Sequence, residues 1–221
     1  MQMIKDIKVP GLAEDTNQKL LDDYHFNPEN YLISILSRAV AHKQDILVSL
    51  TSGEELVVLP SRGDFFCNVD NMEAFCLLNI KAFKVKTLTP SDCDAYIKDG
   101  QNGRNLDELL WQTSYYASQG RLIKGCMRED VIEISNWPNL TRLPCPTSAM
   151  SITALLTRYP TSITLASRIL NVPIEDMFRF YSAAFSSGFA VVKNRESKTP
   201  ELKPHPGNNM LGKLLSRVLN L

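Results

Sequence analysis

Three histidines and five cysteines are the residues in this chain with the most chemistry to offer. Together they could hold zinc, and a thiol beside an imidazole could act as a nucleophile. Their spacing favours neither. His25, His42 and His205 stand far apart, and Cys67, Cys76, Cys93, Cys126 and Cys145 include no C-x-x-C pair. "FFCN" at Cys67 and "AFCLL" at Cys76 are apolar settings, which suit inert buried thiols. Lone surface histidines and reduced thiols in a cytosolic protein are the expectation.

Other local chemistries fail on pattern. Neither G-x-x-x-x-G-K-[ST] nor G-x-G-x-x-G occurs, and there is no G-x-S-x-G elbow. "DCDAYIKDGQNGRNLDE" is acidic and contains glycine, but its order does not fit an EF-hand, so it reads as a plain loop. Glu54 and Glu55 fall in a hairpin turn and should be solvated. Arg62 in "SRGD" could meet an anion, although an ion pair within the turn is the simpler reading. The expectation is therefore no catalytic, metal-binding or cofactor-binding residue, and no cofactor.

Charge bears on the partner. Lys+Arg and Asp+Glu number 24 each. Phosphate neutralisation supplies most nucleic-acid affinity, so a chain without basic excess is poorly matched to a polyanion. No apolar run approaches a membrane span, and the first residues lack a signal-peptide core.

The elements that must position any site read as α+β. Residues 1–27 form a polar leader. "NPENYLISILSRAVAHK" is a helix with Asn27 as cap, Pro28 at its start and an apolar stripe of Tyr31, Leu32, Ile35, Leu36, Ala39 and Val40. Ile46 to Leu50 and Leu56 to Leu59 form a hairpin about Ser52-Gly53, and a third strand opens after Arg62-Gly63. A short helix capped by Asp70 or Asn71 precedes an edge strand at "KAFKVKTLT". The clearest break follows Thr89, with a candidate sub-boundary at 90–105 inside an α+β domain of residues 28–135. "NLDELLWQTSYYASQG" is a helix capped by Asn105 and closed by Gly120. "RLIKGCMREDVIEIS" gives two strands about a turn near Arg128. The connection "NWPNLTRLPCPTS" should pack down through Trp137, Leu140 and Leu143.

Three helices follow: "AMSITALLTRY" stopped by Pro160, "TSITLASRILN" capped by Thr161 or Ser162, and "IEDMFRFYSAAFSSG" started by Pro173 and ended by Gly188. The strand "FAVV" comes next. A helix, a tight turn and a second helix form the helix-turn-helix arrangement. Over residues 148–198 the pattern of Ile152, Leu155, Leu156, Ile163, Leu165, Ala166, Ile169, Leu170, Val172, Phe178, Tyr181, Ala184, Gly188 and Phe189 resembles the winged-helix superfamily. The resemblance implies that the last helix of the module would enter a DNA groove, leading with Ile174, Glu175 and Asp176. Two carboxylates there oppose DNA. Residues 199–209 are a Pro-rich linker, and residues 210–221 read as an amphipathic docking helix.

The expected function is thus non-catalytic: a cytoplasmic regulatory or adaptor protein whose partner is another protein or a second copy. Its contact residues would be Phe178, Tyr181 and Phe185, with Leu211, Leu214, Leu215 and Val218 on the tail. One alternative is a DNA-binding transcriptional regulator using Arg179, Lys193, Arg195 and Lys198. A second is an enzyme built from scattered residues.

Overall fold

A computed structural model describes residues 24–98 and 103–194. Among them are seven α-helices and three sheets, a mixed α/β architecture. No helix among the described residues is long and apolar enough to cross a membrane.

The largest sheet is antiparallel. β2 (Ile46–Ser49) and β3 (Glu55–Leu59) form the expected hairpin, with Val48 opposite Leu56 and Gly53 at φ +97° in the turn. β4 (Asp64–Asn68) follows the turn at Gly63. β5 (Lys84–Thr87) lies on the outer side of β2, where Lys84 and Lys86 blunt the edge. β6 (Arg104–Asn105) closes the other side, giving the order β5-β2-β3-β4-β6.

Alternation of side chains sends Ile46, Val48, Leu56, Val58 and Phe65 into one core. α1 (Leu32–Ala41) covers that face with Leu32, Ile33, Leu36 and Ala39. Asn27 and Pro28 open a 3-10 turn at Pro28–Asn30 rather than α1 itself, which begins after Tyr31. α2 (Met72–Leu77) is capped by Asn71, whose side chain accepts from the Ala74 N–H.

The opposite face of the sheet is covered as well, and here the sequence reading needs correction. Residues from Pro90, read as loop, form α3 (Pro90–Lys98). Thr89 is the reason. Its backbone N–H and its hydroxyl both donate to the Asp92 carboxylate, while its Oγ1 accepts from the Asp92 N–H. This reciprocal capping box, with Pro90 at the first helical position, starts a helix in polar sequence. The same bonds hold the Asp92 carboxyl below its ordinary range. Cys93 then packs on Val57, Leu59 and Leu88.

α4 (Leu106–Ser118) serves two cores. Asn105 caps it by accepting from the Asp107 N–H. Leu106, Leu109 and Leu110 complete the first core, and Trp111 and Ala117 enter a second. The hydrophobic division therefore runs through α4, before residue 135. The second core also takes Phe26 of β1 (His25–Phe26), which pairs in parallel with β7 (Leu122–Ile123). The rest of the polar leader lies outside the described residues.

β7 and β8 (Val131–Ile134) do not form one hairpin. β8 sits in the middle of a three-stranded sheet of order β10-β8-β9. β9 (Thr161–Ser162) links α5 (Ala149–Arg158) to α6 (Ile163–Leu170), and Ser162 caps α6 by accepting from the Leu165 N–H. Asn171 at φ +51° makes the turn into α7 (Ile174–Ser186), which leads to β10 (Ala190–Val192). The helix-turn-helix order is present, but β10 is paired by a strand that precedes all three helices. A wing beyond β10 would fall outside the described residues, as do the linker and the docking helix read over 199–221. In the Pro-rich connection, Leu143 is buried and Leu140 packs on the core, whereas Trp137 is 51% exposed.

α4 ends on Gln119 at φ +49° and Gly120 at φ +83°. A Cβ on Gly120 would lie 3.1 Å from Cβ of Glu175 on α7, whereas one on Gly53 would meet nothing within 4 Å. Gly120→Ala is therefore expected to cost more than about 1 kcal/mol, and visibly more than Gly53→Ala, in urea unfolding. Equal costs would show that α4 and α7 do not approach closely there.

Candidate functional site

α7 is the helix the sequence singles out, and the fold encloses it. Met177, Phe178, Phe180, Tyr181, Ser182, Ala183 and Ala184 are buried. α4 lies along it, joined through small hydroxyl side chains at the contact. The Ser114 hydroxyl donates to the Ser182 carbonyl at 2.8 Å, and the Ser186 hydroxyl donates to Ser114 Oγ at 2.9 Å. The Ser182 hydroxyl accepts from the Ile123 N–H at 3.0 Å. Trp111 meets Phe180 edge-on at 5.4 Å. Tyr24 stacks on Phe178, with the Arg128 guanidinium over both rings.

Phe178 and Tyr181 are 2% and 1% exposed. They are core residues, not a partner surface, because α4 and the segment around β1 already cover them. Phe185, beyond that cover, is 40% exposed and lines a groove of about 400 Å³ with Ile33 and Ile123. Leu211, Leu214, Leu215 and Val218 lie outside the described residues.

The cations proposed for DNA fare similarly. Arg179 is half-buried, turned toward Tyr115 of α4, with its Nε out of solvent. Lys193 pairs with Glu133 at 3.0 Å. Arg195 and Lys198 lie outside the described residues. The first turn of α7 carries Glu175, which is exposed, and Asp176.

The apolar surface that does face solvent is on α6. Leu165 and Ile169 are 49% and 57% exposed, one helical turn apart, with exposed Arg168 between them. Met127 is exposed too, and the carbonyl of its neighbour Arg128 accepts from the Thr164 N–H at the start of α6. The sequence reading counted Leu165 and Ile169 among the residues that carry the winged-helix resemblance and assigned them no contact role. A signal was present, since Ile163, Leu165, Ala166, Ile169 and Leu170 spread round more of the helix than one buried stripe needs.

Burial pushes up the thiols of Cys67, Cys76, Cys93 and Cys145, which disfavours the nucleophilic thiolate. Asp45 adds to the effect at Cys93, with a carboxylate oxygen 3.7 Å from Sγ. His25 Nε2 donates to the Cys126 carbonyl at 2.8 Å, which ties β1 down. Arg62 pairs with Asp64 at 3.8 Å, the ion pair within the turn. Among the described residues no group of three His, Cys, Asp or Glu could hold a metal; His205 lies outside them.

One buried carboxylate escaped the sequence reading. Glu108 on α4 receives Arg104 at 3.2 Å and Arg142 at 3.4 Å. Arg142 comes from the Pro-rich connection and Arg104 lies over the Phe65 ring, so the cluster clamps that connection to the first core. Both partners fill Glu108 from within the chain, which gives it a structural role.

No family model matches the chain, and the comparisons found no match among curated proteins or solved structures.

Proposed function

We propose that the chain is a non-catalytic regulatory or adaptor protein of the cytosol that binds another protein through the outer face of α6. The observation that carries this reading is an exchange of roles between two neighbouring helices. α7, which would enter a DNA groove, spends its aromatic residues on α4 and the second core. α6 instead presents Leu165 and Ile169 to solvent. Paired aliphatic side chains one turn apart, with a cation beside them, suit a partner's apolar groove with an acidic rim. The acidic start of α7, the internal ion pair of Lys193 and the balanced charge of the chain all weigh against duplex DNA.

Immobilised protein should capture a partner from native extract, and Leu165→Asp/Ile169→Asp should weaken purified-partner binding by roughly thirtyfold or more. Both side chains are exposed, so the variant should melt with the wild type. Unchanged binding by the double variant would remove α6 from the interface. Salt-sensitive duplex binding at physiological ionic strength would favour the DNA-regulator alternative.

A further inference from the structure

β5 is the outer strand of the larger sheet, and the register fixes which of its backbone groups face outward. The Leu88 N–H donates to the Asp45 carbonyl, so these two residues form a hydrogen-bonded pair. Such pairs alternate along an antiparallel ladder. Lys86 and Lys84 are therefore the residues of β5 that bond to β2, opposite Leu47 and Ser49. Val85 and Thr87 turn their N–H and C=O groups away from β2. Those groups have no backbone partner among the described residues, since β5 pairs with β2 alone. All of β5 is exposed, Val85 by 50%.

The two faces beside this rim differ. Val85 lies on the face of the first core, opposite Val48. A pocket of about 280 Å³ opens next to it, lined also by Ile35, Ala39, Ile46, Arg38 and His42, with no carboxylate in its wall. Lys84 and Lys86 stand on the other face, on the side of α3. Asp92 lies 4.0 Å from Lys86 and partly offsets it. Lys84 and Arg38 have no carboxylate within 4.0 Å among the described residues.

These features select one occupant. Outward N–H and C=O groups two residues apart are met by an extended chain, because a helix spends its own backbone groups internally. The pocket beside Val85 suits an aliphatic side chain. Alternation then sends the neighbouring side chains toward Lys84 and Lys86, where carboxylates are favoured. A second copy of β5 fits poorly, since antiparallel self-pairing would set lysine against lysine on one face.

We propose that β5 binds an extended acidic segment of another protein, which adds to the sheet as an antiparallel strand. Its aliphatic residues face the pocket beside Val85 and its carboxylates face Lys84 and Lys86. The site is separate from the α6 face and does not rest on it.

The test titrates the isotope-labelled full chain with a blocked seven-residue peptide in which glutamate alternates with valine. The Val85 and Thr87 amide resonances should shift and saturate with Kd of about 1 mM or tighter. Hydrogen exchange at those two amides should slow by about tenfold or more at saturation. Lysine in place of each glutamate should weaken binding by about tenfold or more. N-methylation of the valines, whose N–H groups would face β5, should abolish binding, whereas N-methylation of the glutamates should leave most of it. Lys84→Glu, at an exposed position, should melt with the wild type and bind the peptide about fivefold more weakly. The proposal is overturned by no saturation up to about 10 mM peptide, or by shifts centred away from β5. It is equally overturned if the lysine peptide, an all-glutamate peptide or the valine-methylated peptide binds as well as the parent. Val85 and Thr87 amides already protected in a concentration-dependent dimer would give the edge to a second copy and also overturn it.

Discussion

Phe178→Ala is expected to destabilise the chain by about 3–5 kcal/mol, the range for removing a fully enclosed aromatic side chain. Its ring is 2% exposed, stacks on Tyr24 at 6.1 Å and lies under the Arg128 guanidinium at 5.4 Å. Truncation leaves a cavity and also strips Arg128 and Tyr24 of the ring they pack against. Urea unfolding should show the full cost, and near-UV circular dichroism should lose aromatic signal. The variant separates two roles that the sequence left open for this residue. If stability were unchanged while binding to a partner vanished, Phe178 would be an interface residue after all and α7 would have to be uncovered in solution.

Trp111→Ala should cost a similar amount, about 3–5 kcal/mol, for a different combination of reasons. Trp111 is fully buried and meets Phe180 at 5.4 Å and Phe189 at 6.0 Å. Its Nε1 donates to the Pro144 carbonyl at 2.8 Å, so alanine also leaves that carbonyl without its partner. Trp111→Phe keeps most of the ring contact and loses the bond, and should cost roughly 1–2 kcal/mol beyond any packing change. The chain has two tryptophans, and Trp137 is half-exposed. Native fluorescence should therefore lose its blue component in either variant. A cost for Trp111→Phe equal to that of Trp111→Ala would mean that the bond to Pro144, rather than the packing, dominates.

Periodicity and turn chemistry made much of the first core legible. Glycines at Gly53 and Gly63 marked the turns, alternation marked the strands, and Asn71 and Asn105 marked helix starts that the structure keeps. α3 was missed because its residues are polar, although the Thr89–Asp92 capping box was written in the same four letters as the turn it resembled. The aromatic character of α7 was legible; what covers it was not. Periodicity says that a helix has something against it, but Phe178 and Tyr181 look the same whether the cover is α4 or another protein. At α6 the wide apolar spread was legible, but which of its residues lie outside was not: Ile163 and Ala166 are buried, Leu165 and Ile169 exposed.

The middle strand of the smaller sheet is made by the ribosome before either of its neighbours. Until α5 and β9 have emerged, β8 has both hydrogen-bonding rims unoccupied, and the rim that β10 takes stays unoccupied until α6 and α7 have followed, while the larger sheet is already complete at Asn105. That interval is the nascent chain's window for mispairing with another molecule. The brevity of β8, four residues with Glu133 among them, shortens the template that a stray strand could find.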